Sequence, residues 1–458
     1  MKNTWIGGIL ELSSKVRYGI TSRGLPIFRF VPYERSLGPF AVGCSQRSLS
    51  NVHAIVEPLP LPQPQPQLKL LPRATLVQLL GPPTPQSETS ILLSTYAYDN
   101  KKELRKFPAE SLDAGVVPLI PRERITGFTF NIDPPGCRDV DDTFTFNKIQ
   151  DGWIISINIA DVSAYIQEGS ALDEFIKQKA TSFYSPTGEA LAPMLPPYIE
   201  EAASLLPGKD KLTLSLQLYY DNTSQTTTSF RWVPSVTNTT TSYTYDEAQK
   251  TDRPEFQVLA QIAGSQDSHK WVETLMILYN TKAAEMLKHL GKGVLRAHSE
   301  PQMEKLVQWT AFPELAFMAY ESATFVDASQ DAFHYGLNTV YAYASSPIRR
   351  YCDLVNQRVI KGIKINPPNI DELNRRQKQA KKFSRDLFFM TELKGSDVAA
   401  TVVSISDDSC KVYVPTWKRI VKVKTLEAPA VKTQVQLTWY HDMKSPNWKE
   451  RIVFAFRA

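Results

Sequence analysis

Hydrophobic and polar residues alternate with two different periods along the chain, and the changes of period divide it into regions. In the first 80 or so residues the apolar positions come in short runs: GGILELSS, the stretch from Tyr18 to Phe30, Phe40 to Gly43, Val52 to Val56, and Thr75 to Leu80. Gly19 and Gly24 punctuate them as turn residues do. Five short strands in so short a span predict a small barrel of the OB type. The run PLPLPQPQPQ, Pro58 to Gln67, cannot pair within a sheet. It is expected as a stiff polyproline II loop between the last two strands, a ligand for a proline-recognising domain being the other reading.

Gly81 to Val117 reads as a connector with one helical piece around Glu88 to Tyr96. Beyond Arg122 the pattern is mixed. Phe128, Phe130 and Ile132 alternate with polar residues, as do Trp153, Ile155, Ile157 and Ile159, so each set predicts a strand with one face in a core. Ser170 followed by Asp173 caps a helix through Gln178. Val272, Leu275, Met276, Tyr279, Ala283, Met286 and Leu287 recur at helical spacing within Trp271 to Leu290. A further helix is expected after Pro347, and a strongly basic one from Asp371 to Leu393. After Gly395 the period returns to two in five runs, VAATVVSIS, CKVYVPTW, RIVKVKT, QVQLTWY and ERIVFAF. The expected fold is α+β: a barrel (1–82), a connector (83–117), a body of mixed sheet and helices (118–396), and a second barrel (397–458).

Composition narrows the function classes. The 458 residues are 42% hydrophobic and 22% charged, ordinary for a chain that buries a core, and the net charge of +5 is too small by itself to mark a nucleic-acid binder. Cys44, Cys137, Cys352 and Cys410 are scattered without a C-x-x-C pair, and the six histidines form no H-E-x-x-H pattern. Any metal would therefore be held by oxygen. No apolar run approaches the roughly 18 residues that span a bilayer, and MKNTWIGGIL lacks the features of a signal peptide. A soluble, cytoplasmic, monomeric protein is expected.

The densest chemistry lies in D-P-P-G-C-R-D-V-D-D, which carries Asp133, Asp139, Asp141 and Asp142. Pro134, Pro135 and Gly136 force a turn that can swing the last three aspartates back beside the first. Four carboxylates so close repel one another unless a cation intervenes. An all-oxygen donor set favours Mg²⁺, with Mn²⁺ as substitute, and such sites suit phosphoryl chemistry. A solvated acidic turn or a Ca²⁺-stabilised loop has the same signature. Ser345-Ser346-Pro347-Ile348-Arg349-Arg350-Tyr351 offers hydroxyls, a helix start and paired arginines, the makings of a phosphate site or of an ordinary capped helix.

Taken in order, FTFNIDPPGCRDVDDTF, INIADVSAYIQEGSALDEFIKQKATSFYSP, MLPPYIEEAASLLPGKDKLTLSLQ, VETLMILYN, HYGL and YAYASSPIRRYCDLV resemble the ribonuclease II (RNB) family of 3′-to-5′ exoribonucleases, which includes ribonuclease R and the catalytic exosome subunit. The resemblance implies an RNB catalytic body flanked by OB-fold RNA-binding domains. It implies hydrolysis of single-stranded RNA to nucleoside 5′-monophosphates. By it, Asp133, Asp139 and Asp142 would ligate Mg²⁺, and Asp141 would help bind metal and position the attacking water. Arg349, with Arg350 beside it, would contact RNA phosphate. Tyr184 and Tyr245 would hold the last nucleotides, with Glu273 beside them. The chain also departs from the family. The segment between Tyr245 and Glu273 is short and lacks the phenylalanine that forms the second wall of the terminal clamp, so a distributive enzyme is expected. Tyr343 and Gln357 stand where histidines are common, and the basic run Arg375 to Arg385 would line an RNA entrance or form a solvated face. An RNA-binding regulator without activity, or a nuclease acting on DNA, are the alternatives.

Overall fold

A computed structural model of the chain describes residues 5–60, 71–97, 107, 120–393, 395, 397–442 and 451–457. Most of the proline-rich run and most of the connector fall outside them. The chain forms two compact units, one of residues 1–100, 184–192 and 380–458, the other of residues 101–183 and 193–379.

In the first unit, β1 (Ile6–Leu10), β2 (Ile27–Pro32), β3 (Phe40–Gly43), β4 (Val52–Pro58) and β5 (Arg73–Gly81) close into a barrel in the order β1-β2-β3-β5-β4. Leu10, Phe28, Phe30, Val42, Ala54 and Val56 fill it. Helix α1 (Pro85–Leu92), started by a Thr84 capping box, lies against the barrel; a β-carbon at Gly7 would strike Ile91, so a glycine there lets the helix dock. The expected helical piece is thus present, with a wider turn continuing it over Leu93–Ala97. At the far end of the chain β17 (Asp397–Ser406), β18 (Ser409–Val414), β19 (Arg419–Lys424), β20 (Gln434–His441) and β21 (Ile452–Phe456) form a half-barrel in the order β19-β18-β17-β20-β21. Arg451, just before β21, pairs at 2.7 Å with Glu88 of α1, which is nearly inaccessible.

The second unit is built on a seven-stranded sheet. Its strands are β6 (Glu123–Arg124), β7 (Phe128–Ile132), β8 (Asp142–Ile149), β9 (Gly152–Ala160), β12 (Asp210–Asp221), β13 (Thr226–Asn238) and β14 (Thr241–Tyr243), in the order β14-β7-β8-β9-β12-β13-β6. The short pairs β10 (Phe183–Tyr184) with β11 (Ala190–Ala192), and β15 (Val294–Ala297) with β16 (Thr324–Asp327), stand apart from it.

The alternating residues sort to the two faces as the period requires. Phe130, Phe144, Phe146, Ile155, Ile157 and Ile159 join one core. The opposite face buries Thr129, Thr145, Asn158, Ser215 and Ser235, which is tolerable because they bond one another: Thr129 to Thr145 at 2.8 Å, and Ser215 to both Asn158 and Ser235 at 2.6 Å.

Among the described residues seven helices complete this unit and an eighth leaves it. They are α2 (Ala171–Lys179), capped by Ser170 as expected, α3 (Pro197–Ala203), α4 (Tyr245–Lys250), α5 (Pro254–Ala263), α6 (Ser268–Leu290), α7 (Met303–Gln308) and α8 (Tyr351–Ile360); α9 (Ile370–Thr391) follows. Helix α6 buries Leu275, Tyr279, Ala283 and Leu287, and Tyr279 donates to the Leu214 carbonyl of β12 at 3.1 Å. Nine of the ten residues of α8 are buried. Among the described residues no helix is long and apolar enough to cross a membrane.

Candidate active site

Asp133 follows β7 and Asp142 opens β8, so all four aspartates lie on or beside the turn between two paired strands. The Asp133 amide donates to the Tyr243 carbonyl at 3.0 Å, and Asn131 donates to its carboxylate at 2.8 Å. Cys137 sits inside the turn, its thiol pointing at Asp139 from 3.7 Å; burial, with Asp133 and Asp139 adding to it, pushes that thiol up to about 12. Asp141 is 3% exposed and fixed from two directions. Its carbonyl accepts from Ala160 (2.8 Å) and its Oδ1 from the amide of Ile348 (2.9 Å).

Pro347 opens a turn rather than the helix: the Ser346 carbonyl accepts from the Arg349 and Arg350 amides, and regular α8 starts at Tyr351. The amides expected to meet phosphate are therefore partly committed, one of them to Asp141. Arg349 Nε lies 3.3 Å from Asp141 Oδ2 without hydrogen-bond alignment, which leaves that buried oxygen with no hydrogen-bond partner among the described residues.

The electrostatics are lopsided. Burial raises Asp133, pushes Asp141 up to about 7, and lifts Asp142 well above the carboxylate range, with Asp133 and Asp141 adding to the last. Arg349, itself half exposed, is the cation that opposes all three shifts. Among the described residues no three acidic, histidine or cysteine side chains converge closely enough to hold an ion. The donor chemistry and the unpartnered Asp141 oxygen still fit a hard cation.

Tyr245, the first residue of α4, feels the charges of Asp142 and Asp133; burial first and those charges second push its phenol up to about 12. Its ring stacks on His269, with centroids 3.9 Å apart and planes 5° from parallel. Asp267, which caps α6, holds that imidazole at 3.2 Å. His269 had no signal in the sequence, since 24 residues and a whole helix separate it from Tyr245. The shortened segment is otherwise consumed in packing: Phe256 sits against Phe130, Tyr243 and Trp271.

Glu273 is exposed on α6 and paired with Lys270. Tyr184 ends β10 and belongs to the first unit, not to the one that holds the aspartates. Arg350 turns to Asp353 at 2.7 Å and lies over the Tyr343 ring at 4.0 Å. Gln357 is fully buried and donates to the Ala160 carbonyl at 2.7 Å, so it steadies the strand end that holds Asp141. In the basic helix, Arg375 and Arg376 pair with Glu372, Lys382 with Glu34, and Arg385 with Asp386, which spends much of its charge internally.

The RNB domain model matches residues 122–255 and 251–366, together more than half of the chain. The chain belongs to the RNB family. Among curated relatives, ribonuclease R of Buchnera aphidicola (subsp. Schizaphis graminum) is 24% identical over 331 residues, covering 53% of this chain and 45% of the relative. The chain spans less than half the length of the first curated relatives it matches. Among solved structures, the apo form of Mycoplasma genitalium RNase R superposes with a TM-score of 0.75 at 14% identity, covering 99% of this chain and 90% of that one. Yeast Ssd1, a pseudonuclease, gives 0.68 at 16% identity, with coverages of 96% and 68%. At these identities the structural matches fix the RNB fold and its flanking barrels, and nothing beyond the fold.

Proposed function

We propose that the chain is a Mg²⁺-dependent exoribonuclease that hydrolyses single-stranded RNA from the 3′ end and releases nucleoside 5′-monophosphates. One observation carries the reading: Asp133, Asp141 and Asp142 lie around one turn, burial raises all three, and a single half-exposed arginine, 3.3 Å from Asp141, is their shared counter-charge. Buried carboxylates so poorly compensated mark a functional centre. Asp133, Asp139, Asp141 and Asp142 would hold Mg²⁺, or Mn²⁺ in its place. When bound, the cation lowers the pKa of water and offsets charge on the phosphate under attack.

The chain's own residues set the geometry. The Ile348 amide fixes Asp141, whose role is to orient the attacking water. Arg349 reaches the same carboxylate, so its guanidinium stands where scissile phosphate would meet it and can bind the charge that develops there. The Tyr245–His269 stack offers a sequence-tolerant platform for a terminal base. Tyr184, Glu273 and Arg350 extend the RNA contacts in this reading. The N-terminal barrel (1–82) and C-terminal half-barrel (397–458) are read as RNA-binding domains around the catalytic domain (118–396), joined by the connector (83–117). A monomer acting in the cytoplasm completes the proposal.

The likeness to Ssd1 favours one second reading, an RNA-binding regulator with the fold but without the activity. RNA labelled at the 3′ or the 5′ end, incubated with protein and Mg²⁺, separates them. The proposal expects the 3′ label to leave as mononucleotide from the earliest times, and cleavage to stop in EDTA without rescue by Ca²⁺. RNA that is bound but stays intact would establish the regulator.

A further inference from the structure

Beyond the aspartates lies a second cluster, of two arginines and a histidine, that takes no part in the proposed cleavage step. The backbone at Arg350 is extended, so successive side chains leave it on opposite sides: Arg349 reaches Asp141, while Arg350 reaches Tyr343 and Asp353. Arg296 of β15 reaches the same tyrosine. Its guanidinium carbon is 4.8 Å from the Tyr343 ring centre and 4.7 Å from that of Phe325. Two guanidiniums thus share one aromatic ring.

Among the described residues only one of them has a carboxylate partner. Asp353 bonds Arg350, the Ser346 amide at 2.8 Å and the Cys352 thiol at 3.2 Å. Arg296 is 4% exposed, yet its one side-chain hydrogen bond among the described residues is to a neutral group, Gln377 at 2.7 Å. Among the described residues, Arg350 Nε is buried without a hydrogen-bond partner. So is Nδ1 of His334, whose ring lies 5.4 Å from that of Tyr341, next along the chain from the shared ring but one. The Arg296 amide donates to the Tyr341 carbonyl at 2.8 Å, and the Tyr341 and Tyr343 rings lie 6.1 Å apart, so both arginines and His334 border this tyrosine pair. Water could satisfy these hydrogen-bonding atoms but not the charge of Arg296; a buried cation without a carboxylate partner is costly unless an anion joins it.

We propose that Arg296, Arg350 and His334, gathered around Tyr341 and Tyr343, form a phosphate-binding site separate from the aspartate centre. The ligand is a phosphate group, carried either by a free anion such as inorganic phosphate or by the backbone of bound RNA. The site stands whether or not the aspartates cleave RNA.

Two arms test it, both without divalent metal. In the first, inorganic phosphate is titrated against thermal unfolding at matched ionic strength. A free-anion site gives a saturable rise in Tm that survives Arg349→Met and disappears in Arg296→Met. In the second, a single-stranded oligoribonucleotide is titrated. A backbone contact gives about tenfold weaker binding in Arg296→Met and a salt slope shallower by about 0.7, the share of one phosphate. Either result supports the site, and which arm responds identifies the source. If Arg296→Met does not fold, His334→Phe keeps ring volume, removes the donor, and is held to the same two measurements. Folded variants that match the wild type in both arms overturn the proposal, as does a phosphate response lost only in Arg349→Met with RNA binding unchanged in Arg296→Met.

Discussion

Asp141 and Asp161 are both buried aspartates at neighbouring ends of one sheet, and their surroundings are opposite. Asp161 is fully buried between Lys361 (2.7 Å) and Arg122 (2.6 Å) and also accepts from Ser163; Lys361 and Arg122 hold it below the usual range although burial alone would raise it. Asp141 has one amide and one misaligned arginine, and burial wins. The first is a finished ion cluster that ties α8's end to the sheet. The second is not completed by the described side chains, and in the proposed reading Mg²⁺ would supply the balancing charge. Buried acids of the same type are thus sorted into structure and function by whether the protein itself completes their charge.

Four experiments bear on this contrast. The largest effect is expected from Asp141→Asn, which should lower RNA cleavage by about a thousandfold or more while RNA binding persists. Full activity of that variant in a gel assay would remove Asp141 from the chemistry. Asp161→Asn should do the reverse. Leaving Lys361 buried and unmatched costs about 3–5 kcal/mol of stability, read by urea unfolding, with turnover per folded molecule kept.

The pH dependences should also oppose. A carboxyl raised to about 7 in the folded state costs stability as pH climbs from about 4 through 7. A lowered one contributes stability above the unfolded value and loses it as pH falls through the folded value. In EDTA the wild type should therefore resist urea better at about pH 5.5 than at about pH 7.5, and Asp141→Asn should flatten that difference. A metal-free protein that is more stable at the higher pH would contradict the sign assigned to Asp141.

The smallest effect concerns the edge of the site. Removing the ring in His269→Ala should weaken RNA binding by about 1 kcal/mol, the low end of one stacking contact, and shorten runs of cleavage after an unlabelled RNA trap. With one ring stacked on Tyr245 in place of a clamp, the wild type is itself expected to act distributively. Binding and run length unchanged by the substitution would make His269 a passenger.

Much of this was legible beforehand, for identifiable reasons. Strands such as Phe128–Ile132 and Trp153–Ile159 bury one apolar face, so a period of two reports them directly. The Asp133–Asp142 turn was legible because Pro134, Pro135 and Gly136 leave the backbone few options. The Ile348 amide on Asp141 and the His269 stack were not, because they join residues 207 and 24 positions apart through tertiary packing. Pro347 misled for a local reason: its turn spends the amides that a helix start would have offered. Arg296 carried no signal because an arginine in a strand looks like any surface cation until its burial is known.

The central claim is that the aspartates await a hard cation, and Mn²⁺ binding followed by electron paramagnetic resonance tests it without any substrate. Saturable Mn²⁺ binding to the wild type is expected, with displacement by Mg²⁺ and loss of that binding in Asp142→Asn while the fold is retained. Binding of equal strength in wild type and folded Asp142→Asn, or no binding to the wild type at all, would contradict it.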